Sequence, residues 1–224
     1  MKEFLEQFTD KNNEVVEYIA VHTNRYILSY NYIKEYLYEG MKILELGDRS
    51  KFADFIVSNH GCIVDNIKTD LRYDFNIETN SYYFILNMEV LEHIKDKNED
   101  NEDFHLREKM TFSGMKSLLS ECNRILKPDK LMFLTTPNAS SVAVILNVID
   151  YKSPFDYPPH VRELSIFELR ELVKDFQILK LDTIFSWYPN RLENYNKTLE
   201  TLKELGVSCE NRGDNILTIL KKNI

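Results

Sequence analysis

The chain has 224 residues, of which 43% are hydrophobic and 29% are charged, and its formal net charge is -8 at pH 7. This composition is typical of a globular protein with a sizeable core, and the acidic balance argues against nucleic-acid binding. No apolar run approaches the ~20 residues that span a bilayer, and the N-terminus lacks the apolar core of a secretory signal. We therefore expect a cytoplasmic protein without a membrane span, in which the three cysteines are reduced thiols.

The N-terminal region is predicted to be helical. Residues 3–38 contain neither Gly nor Pro, and Gly40 is expected to end the helix as a C-terminal cap. This pattern favours a division into an N-terminal helical cap over residues 1–39 and a main domain over residues 40–224.

Strands and helices alternate through the main domain. Apolar runs predict strands at residues 42–46, 62–67, 82–88, 131–136, 176–185 and 215–221. Apolar residues at helical spacing and a capping box predict helices at 50–59, 111–126, 165–175 and 192–205. The alternation indicates an α/β fold with a Rossmann-like doubly wound sheet, mostly parallel with an antiparallel last strand.

Two segments lack a regular pattern. Residues 95–103 contain few apolar residues and are predicted to form an exposed loop. Residues 139–163 include three prolines, which disfavour long regular elements. Because active-site residues are often carried on such loops, we expect residues 139–163 to contact the substrate.

The first predicted strand runs into Glu45-Leu46-Gly47, a pattern typical of a buried parallel strand that leads into a ligand-binding turn. A glycine lets the backbone approach a ligand closely, and a carboxylate accepts hydrogen bonds from hydroxylated or cationic groups. In a doubly wound sheet, ligands bind beyond the carboxyl end of the first strand. Glu45 and Gly47 are therefore candidate binding residues, although the motif alone also fits an ordinary strand and turn.

Three further segments follow the next strands. Asp65 lies near the end of the second predicted strand, and its carboxylate can accept hydrogen bonds from the two hydroxyl groups of a ribose. Asp70-Leu71 offers an acid beside an apolar residue, which suits the amino edge and the face of an adenine. Because strand ends are uncertain by a few residues, Asp65 and Asp70 are alternatives for the nucleoside hydroxyls, and either acid also suits a turn cap. Met88 ends the third predicted strand and belongs to the last segment, residues 87–93.

In this order and spacing, the motifs resemble the class I S-adenosylmethionine-dependent methyltransferases, particularly their small-molecule branch. The similar stretches are Ile-Leu-Glu-Leu-Gly at 43–47, Glu-Val-Leu-Glu-His-Ile at 89–94, Leu-Met-Phe-Leu-Thr-Thr-Pro-Asn at 131–138 and His-Val-Arg-Glu at 160–163. The resemblance covers roughly residues 40–222. It implies an enzyme that uses S-adenosyl-L-methionine for O-methylation of a small polar metabolite, such as a sugar, phosphate or nucleotide-linked intermediate of surface-glycan biosynthesis.

The resemblance also implies which residues hold the cofactor. They are Glu45, Gly47, Asp65, Asp70, Leu71, Met88 and Arg25. Arg25 belongs to a His-x-x-Arg-Tyr stretch that is similar to the pocket-covering N-terminal helix of some members, where it would pair with the cofactor's carboxylate. An ordinary surface helix is the alternative interpretation.

Two histidines and an arginine are candidates for contact with the substrate. His93 and His160 are predicted catalytic bases, and Arg162 is predicted to hold an anionic substrate. The alternatives are that His93 orients the start of a helix and that His160 packs against the following helix. No tight pattern of acids and histidines recurs, so no metal site is predicted.

The glycine-rich loop departs from the family pattern, because Arg49 and Lys51 occupy the positions of its second and third glycines. Their side chains would either crowd the cofactor or point outward. A catalytically inactive protein of the same fold, which binds a partner or regulates, is therefore the alternative function. A dehydrogenase or sugar epimerase is less favoured, because the three-glycine turn and the Tyr-x-x-x-Lys pair are missing.

A second departure is the short stretch between the second predicted strand and Asp70. The family usually has a full helix and strand there, so we expect the sheet to lack one edge strand. The sequence predicts neither the methyl acceptor nor the oligomeric state.

Overall fold

The computed structural model describes most of the chain. The described residues are 17–97, 112–155, 157, 159–186 and 192–223. The first part of the predicted N-terminal helix, residues 3–16, and most of the predicted loop at 95–103 lie outside them.

Helices and strands alternate along the described part of the chain. In order they are α1 (Glu17–Ile33), β1 (Lys42–Leu46), α2 (Lys51–His60), β2 (Ile63–Ile67), β3 (Tyr82–Met88), α3 (Ser113–Ile125), β4 (Leu126–Pro137), α4 (Val142–Ile149), α5 (Ile166–Leu172), β5 (Phe176–Ile184), α6 (Leu192–Glu204) and β6 (Asn215–Lys222). Short 3₁₀ turns follow α1 and β3, at Lys34–Tyr36 and Leu91–His93. None of the described helices combines the length and the apolar character needed to cross a membrane.

The strands form one six-stranded sheet in the order β2-β1-β3-β4-β6-β5. β1 to β4 are parallel, and β6 is antiparallel to both of its neighbours. The predicted Rossmann-like, mostly parallel sheet with an antiparallel last strand is therefore confirmed. β2 lies at the edge of the sheet, and residues 68–81, which follow it, form no further strand. This agrees with the expectation that the sheet lacks one additional strand beyond β2.

Helices cover both faces of the sheet. Ile33 of α1 and Phe52 of α2 share one core with Phe84 of β3, whereas Leu118 of α3 packs in a second core with Ile85. Adjacent strand residues point to opposite faces, so both faces of β3 are buried and the strand is an almost continuous apolar run. The division into a helical cap and a main domain near residue 39 stays a prediction, because α1 packs in the same core as the sheet.

Two glycines near helix ends have different roles. Gly61 caps α2, with a φ of +64° and an N–H that donates to the Val57 carbonyl over 3.0 Å. The prediction for Gly40 is wrong, because α1 ends at Ile33. Gly40, with a φ of +74°, instead forms a turn before β1.

The structure also differs from the predicted course of residues 126–150. The strand predicted at 131–136 begins earlier, at Leu126, which pairs with Tyr82 before an irregularity in the register. α4 forms inside the segment predicted to be irregular. Its eight residues are almost all apolar and largely β-branched, so they lack the polar face that identifies a surface helix in a sequence.

Candidate functional site

A cleft of about 510 Å³ lies at the carboxyl ends of β1 and β3, where the strand order reverses. This is the position at which open α/β sheets bind ligands, and the volume is in the range of small-molecule sites. Its lining includes Arg25, Tyr26, Glu45, Gly47, Asp70, Leu71, Met88, Glu89 and His93. Most of the predicted cofactor residues therefore meet at one edge of the sheet.

Glu45 places a buried carboxylate at the end of β1. Only 4% of the residue is exposed, and its Oε2 accepts a hydrogen bond from the Ser50 backbone N–H over 3.0 Å. The Ser50 hydroxyl in turn caps α2 by accepting from the Ala53 N–H. Burial raises the pKa of Glu45 above its usual value, while the Ser50 hydrogen bonds oppose this shift. A ligand with cationic or hydroxyl donors would compensate the desolvated carboxylate.

Gly47 leaves space beside the backbone. Its φ is +90°, and a Cβ added there would meet no heavy atom within 4 Å. The N–H of Gly47 donates to the Ile67 carbonyl over 2.9 Å, which fixes the turn to the end of β2. A ligand can therefore pass close to the main chain at this point.

Arg49 and Lys51 are directed away from the cleft. Arg49 donates to an Asp54 carboxylate oxygen over 3.0 Å and to the Val64 carbonyl over 2.6 Å. The Lys51 ammonium lies 3.7 Å from the same carboxylate. Both side chains thus contact Asp54 of α2, Arg49 also contacts β2, and neither of them lines the cleft next to Gly47.

Asp70 and Leu71 form another wall of the cleft. The Asp70 carboxylate accepts hydrogen bonds from Arg72 Nε over 2.9 Å and Nη2 over 2.7 Å, and this contact lowers its pKa. Leu71 is only 7% exposed and supplies an apolar surface, as does Met88 at the end of β3. Acid and apolar wall are therefore adjacent, as the sequence predicts.

Asp65 does not take part in this arrangement. It lies two positions before the end of β2, where its carboxylate accepts a hydrogen bond from the Tyr82 hydroxyl over 2.9 Å. Burial and this contact raise the pKa of Tyr82 to about 12. The predicted ribose contact of Asp65 is not supported, because spacing along a strand does not reveal which acid reaches the sheet edge.

Arg25 and Glu89 form a buried ion pair at the cleft, with 2.8 Å between Nη1 and Oε2. Glu89 also accepts hydrogen bonds from the Thr135 hydroxyl over 2.7 Å and from the Asn215 amide over 2.9 Å. Its φ of +54° is unusual for a residue with a side chain and occurs often at functional sites. The position of Glu89, an acid directly after an apolar strand, is the signal in the sequence that points to this residue. Pairing of Arg25 with a cofactor carboxylate stays a prediction.

His93 and His160 come together, with ring centroids 4.9 Å apart. His93 lines the cleft, and His160 lies behind it with Nδ1 2.7 Å from Glu163 Oε1. Burial and the neighbouring His160 lower the pKa of His93 below its usual value. The buried Glu92 joins this pair, with Oε1 4.0 Å from His93 Nε2. Glu92 was not among the predicted site residues, and the Glu-His dipeptide is the signal in the sequence that points to it.

Arg162 lies outside the main cleft. Its guanidinium carbon is 4.2 Å from the centroid of the Phe112 ring, and it lines a cavity of about 70 Å³ that also includes Ile94 and Asp96. Ile94 lines the main cleft as well, so the two spaces are neighbours. The predicted contact between Arg162 and substrate stays a prediction.

Solved structures of similar fold include several S-adenosylmethionine-dependent methyltransferases. One from Archaeoglobus fulgidus has a TM-score of 0.56 at 14% identity, covering 92% of this chain and 99% of that chain. A possible histamine N-methyltransferase from Thermotoga maritima has a TM-score of 0.53 at 17% identity, covering 100% of both chains.

A third similar structure, phosphoethanolamine N-methyltransferase 2 of Haemonchus contortus in complex with S-adenosyl-L-methionine, has a TM-score of 0.56 at 13% identity, covering 99% of this chain and 60% of that chain. No protein-family model matches the chain, and no curated protein matches it in sequence. The similarity in structure nevertheless extends over the whole sheet and its flanking helices, and the chain therefore has the class I S-adenosylmethionine-dependent methyltransferase fold.

Proposed function

We propose that the chain is an S-adenosylmethionine-dependent methyltransferase that methylates an oxygen atom of a small polar molecule. The observation that carries the proposal is the cleft at the β1–β3 switch point, where a buried carboxylate and an open glycine turn meet. The methyltransferase fold of the chain supports the same conclusion.

The described residues fit the chemical groups of the cofactor. Glu45 would accept hydrogen bonds from its ammonium or hydroxyl groups, and Gly47 would let it lie against the backbone. Leu71 and Met88 would contact the adenine, and Asp70 would accept hydrogen bonds from the adenosyl part. When bound, the cofactor supplies an electrophilic methyl group on a sulfonium.

The acceptor would lie beside His93, which lines the cleft. The protein must hold the acceptor's oxygen in line with the methyl group and assist the loss of its proton. Nothing in the cleft supports an acceptor from surface-glycan biosynthesis in particular, so the proposal extends only to small polar acceptors with a hydroxyl group.

The alternative function, an inactive regulatory protein of this fold, was favoured by Arg49 and Lys51. Both side chains contact Asp54 rather than the cleft. This observation removes the steric argument against cofactor binding and favours the enzyme over the regulator.

Calorimetric titration with S-adenosylhomocysteine tests the proposal. We expect the wild-type protein to bind it and Glu45→Gln to bind it roughly tenfold more weakly, because a buried charged acceptor is lost. Glu35→Gln, at an exposed carboxylate outside the cleft, is the matched control and should bind like wild type. No heat and no thermal stabilisation of the wild-type protein would overturn the proposal.

A further inference from the structure

We propose that Glu92, His93 and His160 bind one divalent first-row transition-metal ion, and that this ion holds the oxygen of the methyl acceptor. The first part depends only on the arrangement of the three side chains. The second part rests on the proposed methyltransferase function.

The three side chains converge as metal ligands do. Each offers one nitrogen or carboxylate oxygen, and these atoms all lie within 4.8 Å of one another. Glu92 Oε1 and His93 Nε2 are 4.0 Å apart. Two atoms bound to the same tetrahedral ion at about 2.0 to 2.2 Å are about 3.3 to 3.6 Å apart. The Glu92 and His93 atoms would therefore move together by about 0.5 Å, and no pair of the three atoms by more than about 1.5 Å.

Glu92 carries a buried carboxylate of which only one oxygen is hydrogen-bonded within the described residues. The residue is 0% exposed, and its Oε2 accepts a hydrogen bond from the Thr136 hydroxyl over 3.1 Å. Its Oε1, which faces His93, accepts no hydrogen bond in the part of the chain that the structure describes. Burying such an oxygen without a partner is costly, and a cation next to it would remove that cost.

The loop that carries His160 is attached to Glu92 itself. The Glu92 carbonyl accepts hydrogen bonds from the backbone N–H groups of Val161 over 2.9 Å and of Arg162 over 3.2 Å. The histidine is therefore held next to the carboxylate by main-chain contacts, before any ion binds. Such preorganisation is what a binding site requires.

His160 is also oriented as a ligand should be. Its Nδ1 lies 2.7 Å from Glu163 Oε1, and the Glu163 side chain is fully buried. If Nδ1–H donates to this carboxylate, Nε2 keeps its lone pair for a metal ion. Metal-binding histidines commonly have a carboxylate on their second nitrogen in this way.

The ligand set indicates the class of ion. Two imidazoles and one carboxylate suit Zn²⁺, Mn²⁺, Fe²⁺ or Co²⁺, whereas Ca²⁺ and Mg²⁺ prefer oxygen ligands alone. Three protein ligands leave coordination positions for other molecules, as in catalytic sites. His93 is half-exposed and lines the cleft, so these positions would face the acceptor.

An ion in this position would assist methyl transfer by lowering the pKa of a bound acceptor hydroxyl, whose proton passes to solvent. The bond between the acceptor oxygen and the methyl carbon then forms as the carbon–sulfur bond breaks, and the thioether leaves. The two histidines would act as ligands and not as the bases predicted from the sequence.

Metal titration of tag-free protein, stripped with a chelator, tests the site. We expect Zn²⁺ by calorimetry and Mn²⁺ by electron paramagnetic resonance to bind at one ion per chain. His93→Asn and His160→Asn should each weaken binding by roughly tenfold or more. His60→Asn is the matched control, because His60 contacts the Tyr30 hydroxyl on another part of the chain. Absence of binding to wild type, or unchanged affinity in folded His93→Asn and His160→Asn proteins, would overturn the proposal.

A titration of the same metal-free wild-type protein with S-adenosylhomocysteine separates the two proposals. Cofactor-product binding without stoichiometric metal binding would overturn the metal site and leave the methyltransferase standing. Metal binding without cofactor-product binding would overturn the methyltransferase and leave the metal site standing. It would also remove the role of the ion in methyl transfer.

Discussion

Arg25 of α1 and Glu89 at the end of β3 are joined by a 2.8 Å salt bridge that forms part of the cleft wall. The side chains are 5% and 13% exposed, so the pair is largely removed from water. It attaches the first described helix to the edge of the sheet at which ligands of this fold bind. Arg25 thus positions Glu89 as well as lining the cleft.

We expect Arg25→Met to reduce the free energy of unfolding by about 3 kcal/mol, because it leaves the buried Glu89 carboxylate without its cation. Glu89→Gln should also destabilise the protein. The double variant should lose less than the sum of the single losses, since neither charge is then left alone. Urea unfolding of the four proteins measures this coupling, and additive losses would show that the pair contributes nothing specific.

Gly47 and Gly40 offer a matched pair of substitutions. Both have positive φ angles, and at both a new Cβ would meet no atom of the protein within 4 Å. Changing either to alanine should therefore cost about 1 kcal/mol of stability through backbone strain. Only Gly47 lines the cleft, so only Gly47→Ala should weaken S-adenosylhomocysteine binding in calorimetry. Equal affinities of the two variants would show that no ligand approaches the Gly47 turn.

Arg49 should contribute to stability but not to cofactor affinity. Its hydrogen bonds to Asp54 and to the Val64 carbonyl connect the loop after β1 to α2 and β2. We expect Arg49→Ala to lower the melting temperature slightly and to leave S-adenosylhomocysteine affinity within about twofold, because an exposed ion pair contributes about 1 kcal/mol or less. A large gain in affinity would mean that the guanidinium obstructs the cleft after all.

The pH dependence of stability should include a contribution from Glu121 of α3. Its carboxylate accepts hydrogen bonds from Arg124 over 2.7 and 2.8 Å and from the Phe75 N–H over 3.0 Å, and the Arg124 contact lowers its pKa below 4.5. A lowered carboxyl pKa stabilises the folded protein above pH 4.5, and this stabilisation is lost as the pH falls through the folded pKa.

Glu121→Gln should therefore be about 1 kcal/mol less stable than wild type near neutral pH, and the difference should shrink as the pH falls below 4.5. Urea unfolding from about pH 7 to about pH 3 follows the change. Glu171→Gln, at an exposed position of α5, is the control and should show little difference at any pH. A constant difference across the pH range would contradict the role of the Glu121 charge.

The local pattern of residues predicts much of this protein. β1, β2 and β3 are found within one residue of their predicted bounds, because buried strands are short apolar runs with clear ends. Glu45 and Gly47 lie at the cleft because the carboxyl end of the first strand is a fixed position in a doubly wound sheet.

The tertiary structure alone decided which side chains meet at the site. Asp65 contacts Tyr82 and not the cleft, and this depends on how far each strand extends. Glu92 and His160 are neighbours because backbone hydrogen bonds attach a distant loop to the Glu92 carbonyl. Sequence by itself determined the alternation of strands and helices, since periodicity is local, whereas the convergence of these side chains depends on strand register and loop contacts between residues far apart in the chain.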